Sequence, residues 1–270
     1  MHLPYRIVNS CALRVFTGNP ICIVLEEPDE QLMQPIATQM NLSCSVFPVR
    51  TDHHSYRMRL FTPKREVGYA GSPSLAAAWS MGQGNWAQTT PGAEAIIEVI
   101  GDVAWMSQPE PVLEIIDDPD VIEGIGLRSI ERMFTCKVAS QRYTIAVTND
   151  DPDGFTPRQD ILMRPALRYG PALVGAVRRE SDTEIQARFF GPAHGVPEDP
   201  ACGAAAGAVA TIMHRYFGTK TDVSLYQGRQ IGRASRIEVS LGNVSIRMGG
   251  RLVPMAEGVL FARDLAHLSS

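Results

Sequence analysis

No stretch of this 270-residue chain reaches the roughly 18 consecutive apolar residues of a membrane-spanning helix. No Cys-x-x-Cys pair occurs, which excludes a zinc ribbon or a thioredoxin-type motif. Gly-x-Gly-x-x-Gly and the P-loop are both missing, and no His/Asp/Glu set has metal-ligand spacing. Nothing in the chain therefore calls for a nucleotide, a metal or another cofactor. Basic residues are outnumbered, 25 against 29 acidic ones, for a net charge of −4. They are also dispersed: the densest cluster, Arg178-Arg179, is followed at once by Glu180 and reads as solvated surface. A nucleic-acid partner wants a basic face, and none is offered. The opening Met1-His2-Leu3-Pro4-Tyr5-Arg6 lacks the apolar stretch of a signal peptide, so a cytoplasmic location is expected.

What is present is an ordinary globular composition, 44% apolar and 20% charged, long enough for one large or two modest domains. The five cysteines are odd in number and widely spaced, which suits free thiols in a reducing compartment. Cys11, Cys22 and Cys136 fall in apolar strand-like stretches and read as small buried hydrophobes. Cys44 and Cys202 differ. Each stands where a helical pattern meets a strand or loop pattern. Cys202 also follows the acidic pair Glu198-Asp199 and opens a run of small residues that reads as a helix start. The positive end of a helix dipole lowers a thiol pKa, and a low-pKa thiol can take and return a proton unaided.

Periodicity predicts strands at 13–25 (broken at Gly18-Asn19-Pro20), 46–49 and 56–61, a hairpin at 96–106, and a helix at 29–40. Ser72-Pro73 reads as an N-cap with proline at the first helical position, opening a helix to about Met81. Beyond Pro109-Glu110-Pro111 the pattern restarts. Strands are predicted at 133–138, 143–147, 172–177 and 185–190, then a Gly/Pro-rich loop, a helix at 202–216, and short strands at 223–226, 237–240, 244–248 and 259–262. Each half thus has strands, a glycine-rich turn and a helix opened by small residues. This is weak duplication of an α+β unit. The expected division is 1–112 and 113–270, with the last strand, near 258–270, free to cross back to the first half.

Several short motifs run colinearly along the chain: Gly18-Asn19-Pro20, Met40-Asn41-Leu42-Ser43, Phe61-Thr62-Pro63, Glu66, Ala70-Gly71-Ser72-Pro73, Glu198-Asp199-Pro200, Gln227-Gly228, Ile231-Gly232-Arg233 and Gly249-Gly250. Together they resemble the PhzF-like family of phenazine-biosynthesis isomerases. The resemblance implies the diaminopimelate-epimerase fold: two similar domains, each a curved sheet around a central helix, with the active site in the cleft between them. It also implies cofactor-free proton shuttling on a small carboxylated substrate, and a homodimer. Three departures stand out. The family's catalytic glutamate position is Cys44, its histidine position is Ser72, and the Thr-Gly-Ser after the retained Asp199 is Cys202-Gly203-Ala204. The last change resembles the second catalytic cysteine of diaminopimelate epimerases and proline racemases. Their first cysteine, however, would fall at Ala70-Gly71.

The candidate catalytic residues are accordingly Cys44, Asp199 and Cys202. Gly71 and Ser72 at one helix start, with Gly203 and Ala204 at the other, would cradle a substrate carboxylate through free backbone N–H groups. Ser72 is also expected to cap its helix. Glu66 reads equally as structural or as lining the cleft, and His194 reads as a solvated loop residue. Three functions remain open. The first is an isomerase that shifts a carbon–carbon double bond in a small unsaturated amino or imino acid, with Cys44 as principal shuttle. Modified proline units of antibiotics are one candidate substrate class. The second is a two-thiol racemase or epimerase. The third is a degenerate relative that only binds a small ligand.

Overall fold

The computed structural model describes residues 2–170, 172–243 and 245–261. In chain order the first half contains β1 (His2–Ser10), β2 (Asn19–Val24), α1 (Glu30–Met40), β3 (Cys44–Arg50), β4 (Ser55–Phe61), β5 (Glu66–Val67), α2 (Gly71–Met81), β6 (Gly84–Thr90), β7 (Ala93–Ile100) and β8 (Val103–Gln108). There follow β9 (Val112–Ile116), α3 (Pro119–Ile125), β10 (Arg132–Val138), β11 (Gln141–Val147), α4 (Gln159–Arg168), β12 (Leu173–Arg179), β13 (Glu184–Gly191) and β14 (Val196–Asp199). The chain then forms α5 (Gly203–Phe217), β15 (Asp222–Gln227), β16 (Ser235–Leu241) and β17 (Ile246–Phe261).

Strand pairing closes a ring, β17–β1–β2–β3–β4–β6–β7–β8 and back to β17. A second run passes from β9 through β10, β11, β12, β13, β15 and β16 to the same β17. Each run encloses one helix. α2 packs against β1, β2, β3, β6, β7, β8 and β17, and α5 against β10, β11, β16 and β17. Their sequences explain this. Residues 71–78 of α2 and 203–213 of α5 are buried on every side and are mostly Gly, Ala and Ser. A helix apolar all round belongs in a core, and small side chains let strands approach from every direction. No helix among the described residues is long and apolar enough to cross a membrane.

Most predicted elements are present, and the exceptions have physical reasons. Residues 13–16 form an exposed turn instead of a strand, because β2 begins only at Asn19. Among the described residues, the strands expected at 244–248 and 259–262 are parts of one strand, β17 (Ile246–Phe261). Gly249 and Gly250 interrupt its side-chain pattern because Trp105 and Cys11 occupy the space their side chains would need. β17 pairs with β8 and β16 at its start and with β1 from Leu252 to Phe261. Residues 262–270 lie outside the described residues. Pro73 falls third in α2, whose N-cap is Ala70 with no side-chain hydrogen bond. Ser72 therefore does not cap the helix.

Candidate active site

α1 ends at Asn41, whose left-handed backbone (φ 49°) satisfies the Ala37 carbonyl and turns the chain toward β3. Ser43 and Cys44 are thereby delivered beside Asn19 of β2, and β2 and β3 pair in parallel with Ile21 opposite Cys44. On the other side, β14 carries Glu198 and Asp199 to the start of α5. Arg188 of β13 fixes that strand. Its Nε and Nη2 reach Glu198 at 3.0 and 2.7 Å, and Nη1 donates to the Pro152 and Phe155 carbonyls. Both members of this ion pair are buried.

The two helix starts touch. A Cβ added to Gly71 would lie 2.6 Å from the Gly203 carbonyl carbon, and one added to Gly203 would lie 2.8 Å from the Ser72 nitrogen. Only glycine permits this approach. Beside the contact lies a cavity of about 70 Å³, lined by all seven residues singled out from the sequence: Cys44, Gly71, Ser72, Asp199, Cys202, Gly203 and Ala204. Asn19, Ser43, Tyr69, Tyr143 and His194 join them. His194 is buried, contrary to the expectation of a solvated loop residue. Glu66 instead faces a neighbouring cavity, with both carboxylate oxygens held by Arg59 at 2.7 and 2.9 Å.

One polar network spans the site. Ser43 Oγ donates to Asn19 Oδ1, and Asn19 Nδ2 donates to Asp199 Oδ1 at 2.9 Å. The Ala201 N–H donates to the same Asp199 oxygen at 3.0 Å, and the Cys202 thiol hydrogen-bonds the carboxylate as well. Ser72 Oγ donates to the Ala201 carbonyl at 2.6 Å, as does the Gly203 N–H at 2.9 Å. The Gly203 N–H is therefore already engaged and is not free for a substrate carboxylate. The N–H groups of Gly71, Ser72 and Ala204 have no acceptor among the described residues and remain the donors of the expected cradle.

Burial sets the proton affinities and overturns the expectation of acidic thiols. Cys44 opens a strand instead of a helix, and desolvation pushes its thiol well above the ordinary value. Cys202 does sit at a helix N-cap, yet desolvation and then the charge of Asp199 raise it too. The dipole is worth at most about 2 kcal/mol, whereas full burial of a charged group shifts a pKa by up to roughly 3–5 units. Asp199 moves up to about 6, chiefly by desolvation, with the Ala201 N–H and the Cys202 thiol holding it down. The carboxyl therefore titrates nearest neutrality and both thiols are protonated.

A closed ring of strands around a buried helix, joined by a shared strand to a second helix-enclosing run, defines an epimerase-type barrel. A hydroxyproline epimerase from Agrobacterium vitis has the same fold, with a TM-score of 0.69 at 11% identity over 98% of this chain and 94% of that one. A crystal structure of a PhzF-family phenazine biosynthesis protein from Enterococcus faecalis is more similar, with a TM-score of 0.79 at 26% identity, covering 97% of this chain and 100% of that one. A trans-2,3-dihydro-3-hydroxyanthranilate isomerase of Pseudomonas aeruginosa is 27% identical over 291 residues, covering 98% of this chain and 99% of its own length. The family described as phenazine biosynthesis-like protein matches residues 8–100 and 151–258, and this chain belongs to it. It is an isomerase.

Asn19, Ser43 and Tyr143 were not singled out as site residues from the sequence. Asn19 and Ser43 do stand in Gly18-Asn19-Pro20 and Met40-Asn41-Leu42-Ser43, so the signal was available. Tyr143 reads only as an apolar strand residue.

Proposed function

We propose that the protein is a cofactor-independent isomerase that shifts a carbon–carbon double bond in a small unsaturated carboxylated amino or imino acid. The observation that carries this reading is Asp199: a carboxyl raised to about 6 by desolvation, in one cavity with two protonated thiols and two helix starts. A group with that proton affinity suits general acid–base work near neutral pH. The substrate carboxylate binds the N–H groups of Gly71, Ser72 and Ala204. Asp199 takes a proton from an allylic carbon, the electron pair shifts across the double bond, and the Cys44 thiol delivers a proton at the far carbon. The proton on Asp199 then restores Cys44, so the cycle closes without net change. Cys202 orients Asp199 by donating to it. Relative to the sequence reading, the base is Asp199 and Cys44 is the donor.

The named isomerase relatives support a cyclic, unsaturated amino acid as substrate. A modified proline unit of an antibiotic is one such molecule, and secondary metabolism is the setting we assign. The five free cysteines suit a reducing cytoplasm. We assign the active form as a homodimer, and the cavity as the cleft between epimerase-like halves 1–112 and 113–270.

Both thiols lining one cavity favour a second reading, two-base inversion at a single Cα. Exchange in heavy water, followed by NMR, separates the two. The panel is unsaturated cyclic amino acids, the dihydro-hydroxyanthranilate, proline derivatives and diaminopimelate, each with wild type and Cys44→Ala. Deuterium at a carbon remote from Cα, lost in Cys44→Ala, is the expected result. Exchange confined to Cα with inversion would establish the racemase. No exchange on any compound would overturn both of these readings.

A further inference from the structure

We infer that a second cavity adjoining the first binds a second anionic group of the substrate, a carboxylate or a phosphate. That the group belongs to a substrate rests on the isomerase reading above; the anion site itself does not. The cavity measures about 260 Å³ and shares Val67, Gln141 and His194 with the candidate active site, so a molecule anchored at the helix starts can extend into it.

Its charge is the reason for the assignment. Arg65 and Arg142 line it, and neither forms an ion pair among the described residues. The one carboxylate in its wall, Glu66, has both oxygens taken by Arg59, which also pairs with Glu30 at 2.8 Å. The cavity is thus positive in a protein whose net charge is −4. A cleft of one sign with low-dielectric walls concentrates ions of the other sign, and the planar guanidinium fork matches carboxylate and phosphate oxygens.

The wall is also built from close backbone contacts between distant segments. A Cβ on Gly92 would lie 2.1 Å from Ser140 Oγ, and one on Gly68 would lie 2.7 Å from the same atom. The Gly92 N–H donates to the Gly68 carbonyl at 2.9 Å. Ser140 follows Ala139, a non-glycine residue at φ 52°. These contacts bring the β6–β7 turn, the loop before α2 and the β10–β11 turn together beneath the two arginines.

The test needs no turnover. Inorganic phosphate and glutarate are titrated separately into the protein at low salt, and the backbone amide signals of Gly68, Gly92 and Ser140 are followed by NMR. Saturable shifts at these amides are expected, weakened about tenfold or more in Arg65→Gln/Arg142→Gln, the equivalent of one charge-assisted hydrogen bond. The anion with the lower midpoint identifies the second group. Shifts that never saturate, or that persist unchanged in the double variant, would overturn the assignment. Because the readout is binding, a failed exchange assay would sink the isomerase reading and leave this result standing.

Discussion

The two buried helices meet start to start, yet the chain leading into each carries different equipment. Before α5 stand Asp199 and Cys202, both with proton affinity raised by burial, and Glu198 beside them is held by the Arg188 clamp. The first half supplies fixed hydrogen-bond donors that reach across. Asn19 reaches Asp199, Ser72 reaches the Ala201 carbonyl, and Gln108 Nε2 reaches the Gly203 carbonyl at 3.0 Å. The carboxyl that titrates nearest neutrality thus stands on one side, and much of what holds it in place reaches over from the other. Such a division keeps a charged carboxyl from needing a charged partner in the cavity, where an ion pair would lock it in one protonation state.

The largest expected effect comes from removing the titrating group. Asp199→Asn keeps the shape and loses the base, so deuterium exchange should fall about 10³-fold, within the range of general acid–base contributions. The same variant reports the proton affinity independently of substrate. The folded pKa of about 6 lies above the ordinary 3.8, so the folded state holds the proton more tightly than the unfolded one. That contribution is fully present below pH 4 and is lost as pH rises through 6. Urea titrations from pH 4 to 7 should show wild-type stability declining by about 2–3 kcal/mol relative to Asp199→Asn across that window. Parallel curves would show that Asp199 is not perturbed.

The clamp comes next. Arg188→Met leaves Glu198 buried without its partner and should cost about 3–5 kcal/mol by urea unfolding. Arg188→Met/Glu198→Leu should recover most of this. The strand of Cys44 is held instead by pairing on both sides. A loss in the single variant that the double variant fails to repair would show that the hydrogen bonds to Pro152 and Phe155 do the holding.

The contact between the helix starts is the third point of attack. Gly71→Ala drives a methyl to 2.6–2.7 Å from the Gly203 and Ala204 backbone, and should destabilise by about 1–3 kcal/mol. Gly154→Ala, where an added Cβ meets nothing within 4 Å, should stay within about 0.5 kcal/mol. Equal costs at the two positions would mean that the helix starts can separate without penalty.

What the sequence made legible follows the range of each interaction. Local patterns located α1, α2, α5 and most central strands, because hydrophobic period and turn residues act over a few positions. β1 was missed: it carries Pro4 and little alternation, and its place depends on partners 240 and more residues away, as in His2 opposite Phe261. α4, which has Pro165 inside it, was also missed. The seven residues singled out from the motifs all line the cavity. The motifs misjudged the thiols because a helix dipole can be read from neighbours in sequence, whereas desolvation is imposed by the whole fold. The burial of His194 escaped notice for the same reason.

Asn19 gives the smallest effect and the finest test of the division between the halves. Its Nδ2 donates to Asp199 from 180 residues away, and its Oδ1 accepts from Ser43, so its orientation is fixed from both ends. A hydrogen bond to a carboxylate favours the charged form. Asn19→Ala should therefore raise the Asp199 pKa further and move the acidic limb of the exchange rate upward by about one pH unit, with the plateau rate little changed. Asn19→Asp should move it further, since it places a second carboxyl against the first. A plateau that drops while the limb stays in place would assign Asn19 to substrate contact. Asn19 would then do more than hold the second half's acid in position.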